Sequence, residues 1–158
     1  MADCNLCWWF SCSLDMPDIT HMIRIAASPA QIVPLVSTGP GFTQWWAEDV
    51  ESGGDAIVRL GFFNRGTIYT LEPDGAATSA RIAWRCTTGK EWSGTRLIFD
   101  MQPQGNELVV RFTHGGWESV TDYFTSCNTT WGELMFRLKA AAEGKSPGPL
   151  FLRGGMAY

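Results

Sequence analysis

The sequence predicts a single α+β domain in which a curved antiparallel sheet wraps around a long carboxy-terminal helix. Two patterns predict it: apolar and polar residues alternate with period two at 19–25 and in successive segments from about residue 47 to residue 114, and from Val120 the apolar period becomes 3.6. The 158 residues are 45% hydrophobic and 18% charged, so the chain has enough apolar side chains for one hydrophobic core. A chain of this length is too short for two cores.

The first elements are a strand and a short helix. Alternate residues from Ile19 to Ile25 share one apolar face, as in a half-buried strand. Ser28 then supplies a helix N-cap, Pro29 suits the first helical position, and Gln31 completes a capping box. A helix is therefore predicted to begin at Pro29.

This helix is predicted to be short, and a second helical turn follows it. Pro34 lacks an amide hydrogen and costs about 3 kcal/mol inside a helix, and the Gly-Pro-Gly run at 39–41 ends the element. Phe42, Trp45 and Trp46 are assigned to the second turn, so these two short helices separate strand one from strand two.

Six strands in a meander are predicted next, at about 47–52, 56–63, 66–73, 79–88, 94–103 and 106–114. Turn-forming clusters such as Gly53-Gly54-Asp55 separate them, which favours antiparallel hairpins. Alternation in the last three strands predicts that one set of side chains points inward: Ile82, Trp84, Cys86, Leu97, Phe99, Met101, Leu108, Val110, Phe112 and His114.

The last predicted element is a helix of about 24 residues, some 36 Å long, which can cross the whole sheet. Gly144 and Pro147 are predicted to end it. Its apolar stripe consists of Val120, Tyr123, Phe124, Cys127, Trp131, Leu134, Met135 and Leu138.

The two ends are assigned outside the domain, which spans residues 16–145. Residues 1–15 are predicted to be a disordered leader, and 146–158 a loose tail with little periodicity. Cys4, Cys7 and Cys12 could form half of a zinc site, but no second C-x-x-C pair follows, so no metal and no cofactor are predicted.

Charge and hydropathy exclude several classes of partner. The 12 Lys and Arg against 16 Asp and Glu give a net charge of -4, and the absence of a basic run argues against nucleic acid. No apolar stretch approaches the roughly 20 residues of a membrane span. The amino terminus lacks the basic start and the apolar run of a secretory signal, so a cytoplasmic location is expected.

Several short motifs resemble one family. The order of elements resembles the helix-grip (START/Bet v 1-like) fold of the SRPBCC superfamily. Within that superfamily, the local motifs resemble the homologues of the activator of heat-shock-protein-90 ATPase, over about residues 18–145. The motifs are IRI at 23–25 followed by Ser28-Pro29, FTQWW at 42–46, GTRLIF at 94–99, FTHGGW at 112–117 and WGEL at 131–134.

The resemblance implies a cavity between the sheet and the final helix, which members of the superfamily use for lipids, sterols, polyketides or other apolar compounds. Non-catalytic binding of a small hydrophobic or aromatic ligand is therefore expected, although the same rings could instead fill the core completely. Pro34 departs from the usual first helix of the family. The candidate ligand-binding residues are Trp45, Trp46, Trp84, Phe99, Phe112, His114, Trp117, Trp131 and Met135.

Two other functions stay open. A polyketide cyclase/aromatase- or hydrolase-like enzyme could use the same cavity with His114 as acid or base, although a hydrogen-bonded structural histidine is the favoured interpretation. A chaperone-regulatory module is discounted, because that activity in the eukaryotic proteins also depends on a separate amino-terminal domain. The acidic cluster at Glu48, Asp49 and Glu51 is interpreted as a solvated edge, and the oligomeric state is left open.

Overall fold

The computed structural model describes residues 15–158. The predicted leader therefore lies outside the described residues except for Asp15, and so does the zinc hypothesis on Cys4, Cys7 and Cys12. The elements are β1 (Ile19–Ile25), α1 (Pro29–Ser37), α2 (Gly39–Phe42), β2 (Asp49–Ser52), β3 (Val58–Phe62), β4 (Thr67–Pro73), β5 (Arg81–Cys86), β6 (Arg96–Gln104), β7 (Glu107–Gly115), α3 (Asp122–Ala142), β8 (Phe151–Leu152) and β9 (Gly155–Met156).

The first seven strands form one antiparallel sheet in the order β1-β7-β6-β5-β4-β3-β2. The meander from β2 to β7 pairs each strand with the next, and β1 closes the far edge by pairing with β7. All ten side chains predicted to face inward from β5, β6 and β7 are buried. The predicted α+β helix-grip architecture is confirmed.

The short helices begin as the sequence predicts. The backbone amide of Ser28 donates to Oε1 of Gln31 at 2.8 Å, which is one half of the predicted capping box. Helix α1 continues past Pro34 to Ser37, so the proline is accommodated inside a nine-residue helix. Thr38 then caps α2, its hydroxyl accepting from the amide of Gly41 at 3.0 Å.

Helix α3 lies against the concave face of the sheet. Thr121 is its N-cap, accepting from the amide of Phe124 at 3.1 Å, and Gly144 follows its end with a φ of +82° that favours glycine. Val120 does not belong to the buried stripe, because it precedes the cap and is 67% exposed. The helix buries Cys127, Trp131, Leu134, Met135, Leu138 and Ala142.

The segment predicted as a loose tail is instead folded onto the domain. Strands β8 and β9 form a small hairpin, and the side chain of Leu150 before it is fully buried. The amides of Leu150 and Phe151 donate to the carbonyls of Trp45 and Trp46 at 3.2 and 3.0 Å. Periodicity does not reveal such a segment, because its order comes from contacts with residues about 100 positions earlier in the chain.

Arg137 ties the same segment to α3. Its guanidinium donates to the carbonyls of Pro147 and Gly148, both at 3.1 Å, and lies 3.2 Å from the Glu133 carboxylate.

Among the helices within 15–158, none has the length and apolar character needed to cross a membrane.

Candidate ligand-binding site

A cavity of about 210 Å³ lies between α3, the ends of β3 and β4, and the carboxy-terminal hairpin. Its walls are mainly aromatic and aliphatic, with a few hydroxyl groups and one thiol, as expected of a site for a small apolar guest. The lining residues are Trp46, Phe62, Phe63, Thr67, Tyr69, Trp92, Tyr123, Ser126, Cys127, Thr130, Trp131, Leu134, Phe151 and Met156.

Trp92 is the central ring of the wall. It comes from the loop between β5 and β6 and is only 5% exposed. Its indole stacks on the ring of Tyr69 with centroids 4.1 Å apart and an interplanar angle of 16°, and it lies nearly parallel to Trp131 at 6.0 Å. Three elements distant in sequence therefore build one layered aromatic surface.

Tyr69 and Tyr123 form the polar end of the cavity, where their hydroxyl groups are hydrogen-bonded to each other. Gly89, with a φ of +102°, packs against the Tyr69 ring, where any larger residue would clash. Burial raises the pKa of Tyr69 to about 12 and also raises the pKa of Tyr123. Both phenols are therefore neutral at physiological pH and act only as hydrogen-bonding groups.

His114 lies beside this cavity but is fully enclosed by protein. Its Nδ1 accepts from the indole Nε1 of Trp131 at 3.1 Å, and its Nε2 lies 2.9 Å from the hydroxyl of Thr95. Because an indole N–H only donates, Nδ1 carries no proton, which assigns the remaining proton to Nε2. The Thr95 hydroxyl then donates onward to the carbonyl of Trp92 at 2.6 Å.

This network keeps His114 neutral. Burial lowers the pKa of the imidazole to about 3, and both ring nitrogens already have partners. A general acid or base needs a pKa near the working pH and a free path to its substrate. His114 is accordingly suited to joining β7, the β5–β6 loop and α3.

The structure separates the nine predicted ligand-binding residues into distinct places. Only Trp46 and Trp131 line the cavity. Trp84 lines a different hollow beside α1 and α2, and Trp117 lines one near the start of α3. The other five are buried core residues that do not line this cavity: Trp45, Phe99, Phe112, His114 and Met135.

The sequence did not indicate most of the actual lining. Trp92 falls in a loop outside any periodic segment, and Phe151 and Met156 fall in the segment predicted to be loose. Tyr69 falls in the predicted strand at 66–73, whose pattern does not indicate which face its ring takes. An indole in the otherwise polar loop 87–94 is the one sequence feature that could have directed attention there, since large aromatic residues usually need a buried surface.

The acidic cluster supports the wall of the cavity. Asp49 is buried and forms ion pairs with Arg65 at 3.0 Å and with Arg153 at 3.7 Å, while Glu48 accepts from the Arg153 amide at 2.9 Å. Interpreting all three acids as a solvated edge is therefore wrong for Asp49. These contacts hold the hairpin that carries Phe151 against the turn between β3 and β4.

That turn is conformationally unusual. Phe63, Asn64 and Arg65 all have positive φ values, between 52° and 64°, which non-glycine residues rarely adopt. The amide of Asn64 donates to the carbonyl of Arg153, and Phe63 meets Phe151 edge to face at 6.1 Å. The surrounding contacts thus hold a strained segment at the edge of the cavity.

No protein-family model matches the sequence, and no curated protein matches it. Several solved structures are similar. The Aha1 dimer from Colwellia psychrerythraea is 29% identical, with a TM-score of 0.73 over 82% of this chain and 98% of that one. DynU16, from the dynemicin biosynthetic locus, is 14% identical, with a TM-score of 0.70 over 86% of this chain and 51% of that one.

A third similar structure, CalU16 from Micromonospora echinospora, is 12% identical, with a TM-score of 0.65 over 84% of this chain and 69% of that one. Together with the sheet order and the long α3, these likenesses define the class: the chain has the helix-grip fold of the SRPBCC superfamily. Within this fold, the cavity beside α3 is the candidate site.

Proposed function

We propose that this protein binds a small hydrophobic or aromatic molecule, without catalysis, in the cavity beside α3. The observation that carries the proposal is the aromatic-walled volume of about 210 Å³. An apolar cavity of about 150 Å³ is large enough to bind benzene. The guest that fits is therefore a substituted ring or a compact bicyclic compound.

We also infer that the chain belongs with the homologues of the activator of heat-shock-protein-90 ATPase, acting in the cytoplasm. The sequence motifs at 42–46, 94–99 and 112–117 support this assignment, as does the 29% identity to the Colwellia psychrerythraea Aha1 dimer. In this structure those motifs supply core residues, including Trp45, Phe99 and His114.

A chaperone-regulatory interaction is the second candidate, and the likeness to Aha1 is the observation that favours it. It makes a different prediction from ligand binding. Purified heat-shock-protein-90 would be retained by the immobilised chain and its ATPase rate would change, whether or not the cavity is blocked. Retention without any ligand binding would support this candidate in place of the first.

The enzyme alternative lacks its proposed acid or base. His114 has both nitrogens hydrogen-bonded and a pKa lowered to about 3, so it would transfer no proton at neutral pH. The side chains around the cavity therefore favour ligand binding without catalysis.

The test is a pair of matched substitutions on α3. Thr130 lines the cavity, whereas the neighbouring Thr129 is exposed, and both hydroxyls donate to helix carbonyls four residues earlier. Thr130→Phe places a phenyl group into the cavity, and Thr129→Phe places the same group in solvent. Toluene should raise the thermal unfolding midpoint of the wild type and of Thr129→Phe.

A ligand at 100 times its Kd adds about 2.7 kcal/mol to the free energy of unfolding, which is readily measured. Thr130→Phe should weaken toluene binding at least about tenfold, or 1.4 kcal/mol. Equal binding by the two variants would show that the guest does not occupy this cavity. Native mass spectrometry of freshly purified wild type would then identify any natural guest that it retains.

A further inference from the structure

The hydrogen-bonding protons at the polar end of the cavity are already used within the protein. Trp92 and Tyr123 both act as donors toward the thiol of Cys127. The proton of Tyr69 is then the one that joins the two tyrosine hydroxyls. Because a phenol oxygen can accept as well as donate, the oxygen of Tyr69 keeps its capacity to accept. This end of the cavity therefore offers a guest an acceptor for hydrogen bonds.

Helix α3 supplies a further acceptor. The hydroxyl of Thr130, which lines the cavity, donates to the carbonyl of Ser126 at 3.1 Å, so its oxygen is left to accept from a guest. The hydroxyls of Ser126 and Thr67, also in the wall, can take either role. The polar groups of the wall therefore suit a guest that carries hydrogen-bond donors.

A carboxylate without a cationic partner lies next to this polar end. Glu91 is half-buried, and its carboxylate accepts from the hydroxyl of Thr121 at 2.6 Å. Within the part of the chain that the structure describes, Glu91 takes part in no ion pair. It belongs to an outer hollow that shares three wall residues with the cavity: Thr67, Tyr69 and Tyr123. A cation at this shared wall would supply the counter-charge that Glu91 lacks.

The negative charge of Glu91 acts on the wall of the cavity. Burial raises the pKa of Tyr69 and of Cys127, and the charge of Glu91 raises both pKa values further. Lys90, in the same outer hollow, is exposed and is not among the groups that act on these two residues. No Lys, Arg or His side chain is among the described residues that line the cavity. The local potential therefore disfavours an anionic guest and favours a cationic one.

The polar end also reaches water, which lowers the cost of placing a charge there. Tyr123 is 36% exposed, Ser126 is exposed and Thr67 is half-buried, whereas Trp46 and Trp131 in the opposite part of the wall are buried. A fully buried ion loses its hydration, but an ion at this rim keeps part of it. The cavity thus has an apolar interior that suits a ring and a hydrated rim, beside Glu91, that suits an ammonium group.

We propose that the guest is an aromatic amine in its protonated form, whose ring packs in the cavity while its ammonium group lies at the rim formed by Thr67, Tyr69 and Tyr123, close to the carboxylate of Glu91. This inference rests on the proposed binding function and narrows it to a chemical class. It excludes aromatic acids and free fatty acids as guests of this cavity, because a carboxylate would meet no counter-charge there.

Three probes of nearly the same shape test the proposal by calorimetric titration at pH 7: 2-phenylethylamine, its hydrocarbon isostere propylbenzene, and 3-phenylpropionate. The amine should bind the wild type at least about tenfold more tightly than the carboxylate, a difference of about 1.4 kcal/mol. Glu91→Gln should weaken the amine relative to propylbenzene by about 2- to 5-fold, the range of an ion pair that stays partly exposed to water. The amide oxygen of the glutamine can still accept from Thr121.

Glu118→Gln is the control, because it removes the same charge from an exposed position in a different hollow. It should leave the ratio of the amine and propylbenzene affinities unchanged. If Glu91→Gln does not fold, the wild type alone decides the question. The carboxyl carbon resonance of Glu91 should shift with saturating 2-phenylethylamine and not with propylbenzene.

The outcomes separate the two proposals. The inference about the ammonium group is overturned, and the binding function stands, if propylbenzene and the amine both bind but Glu91→Gln changes their ratio no more than Glu118→Gln does. The same conclusion follows if the Glu91 resonance responds equally to both probes, if 3-phenylpropionate binds as tightly as the amine, or if propylbenzene alone binds. If none of the three probes binds the wild type, the proposed binding function itself fails.

Discussion

The indole of Trp131 donates a hydrogen bond to Nδ1 of His114 at 3.1 Å, and this bond joins α3 to strand β7 in the interior of the protein. His114 is 0% exposed, and its ring also contacts Trp92 edge to face at 4.5 Å. The histidine is thus the polar centre of an otherwise apolar junction between sheet, loop and helix. Its role in this network is to fix the position of two cavity walls.

Replacing His114 by Phe should destabilise the protein by about 1–3 kcal/mol, because the Trp131 N–H would be left buried without an acceptor. Trp131→Phe removes the donor instead. Urea denaturation of the two single variants and the double variant should give a coupling energy of about 1 kcal/mol. Strictly additive effects would mean that this hydrogen bond contributes nothing to stability.

The stability of the wild type should fall on acidification because of the same residue. The folded-state pKa of His114 is lowered to about 3, whereas an unfolded histidine titrates near 6.5. Between these values the unfolded chain binds a proton that the folded chain does not, so the free energy of unfolding falls by up to about 1.4 kcal/mol per pH unit below 6.5.

His114→Phe lacks this proton uptake, so its stability deficit relative to the wild type should shrink by about 2 kcal/mol between pH 7 and pH 5. The measurement is urea denaturation of both proteins across this range. Carboxylates titrate in both and cancel in the difference. Parallel pH profiles would contradict the buried neutral histidine.

Leu150 should be essential to the carboxy-terminal hairpin, although it lies in a segment without periodicity. Its side chain is fully buried, so Leu150→Ala should cost about 2–5 kcal/mol in denaturant unfolding. Leu152→Ala is the matched control, because Leu152 is 42% exposed and should change stability by no more than about 0.5 kcal/mol. Equal effects at the two positions would mean that the segment is not docked.

Arg137 should control the local opening of the same segment. Arg137→Gln removes donors to the carbonyls of Pro147 and Gly148, so amide exchange across residues 150–157 should accelerate about tenfold. Arg81→Gln breaks an exposed ion pair with Asp100 and should leave that exchange unchanged. Unaltered exchange in Arg137→Gln would show that other contacts hold the hairpin.

The sequence predicted the elements that depend on local chemistry. The N-cap at Ser28 and the period change before α3 are properties of neighbouring residues, so they can be read along the chain. The alternation that ends at His114 predicted the inward face of β7 for the same reason. The prediction for Val120 is wrong because the helix begins only after its N-cap at Thr121, so Val120 precedes the helix. Periodicity alone does not show at which residue a helix begins.

The location of the cavity could not be predicted in this way. Phe99 and Phe112 face inward as expected, but their rings pack together at 5.0 Å and close the space between them. The open volume lies farther along α3, where Tyr69, Trp92 and Phe151 come together from a strand, a loop and a hairpin. Which inward residues touch each other depends on sheet curvature and on the path of the loops.

Period and turn chemistry are local, so the fold class, the strand order of the meander and the buried faces of β5, β6 and β7 are predictable from the sequence. Three properties depend on the tertiary structure: His114 is a neutral bridge, the final residues form part of the cavity wall, and Trp92 stacks between Tyr69 and Trp131 in that wall. Those properties arise from contacts between residues far apart in sequence, and burial and hydrogen-bond satisfaction exist only once the chain has folded.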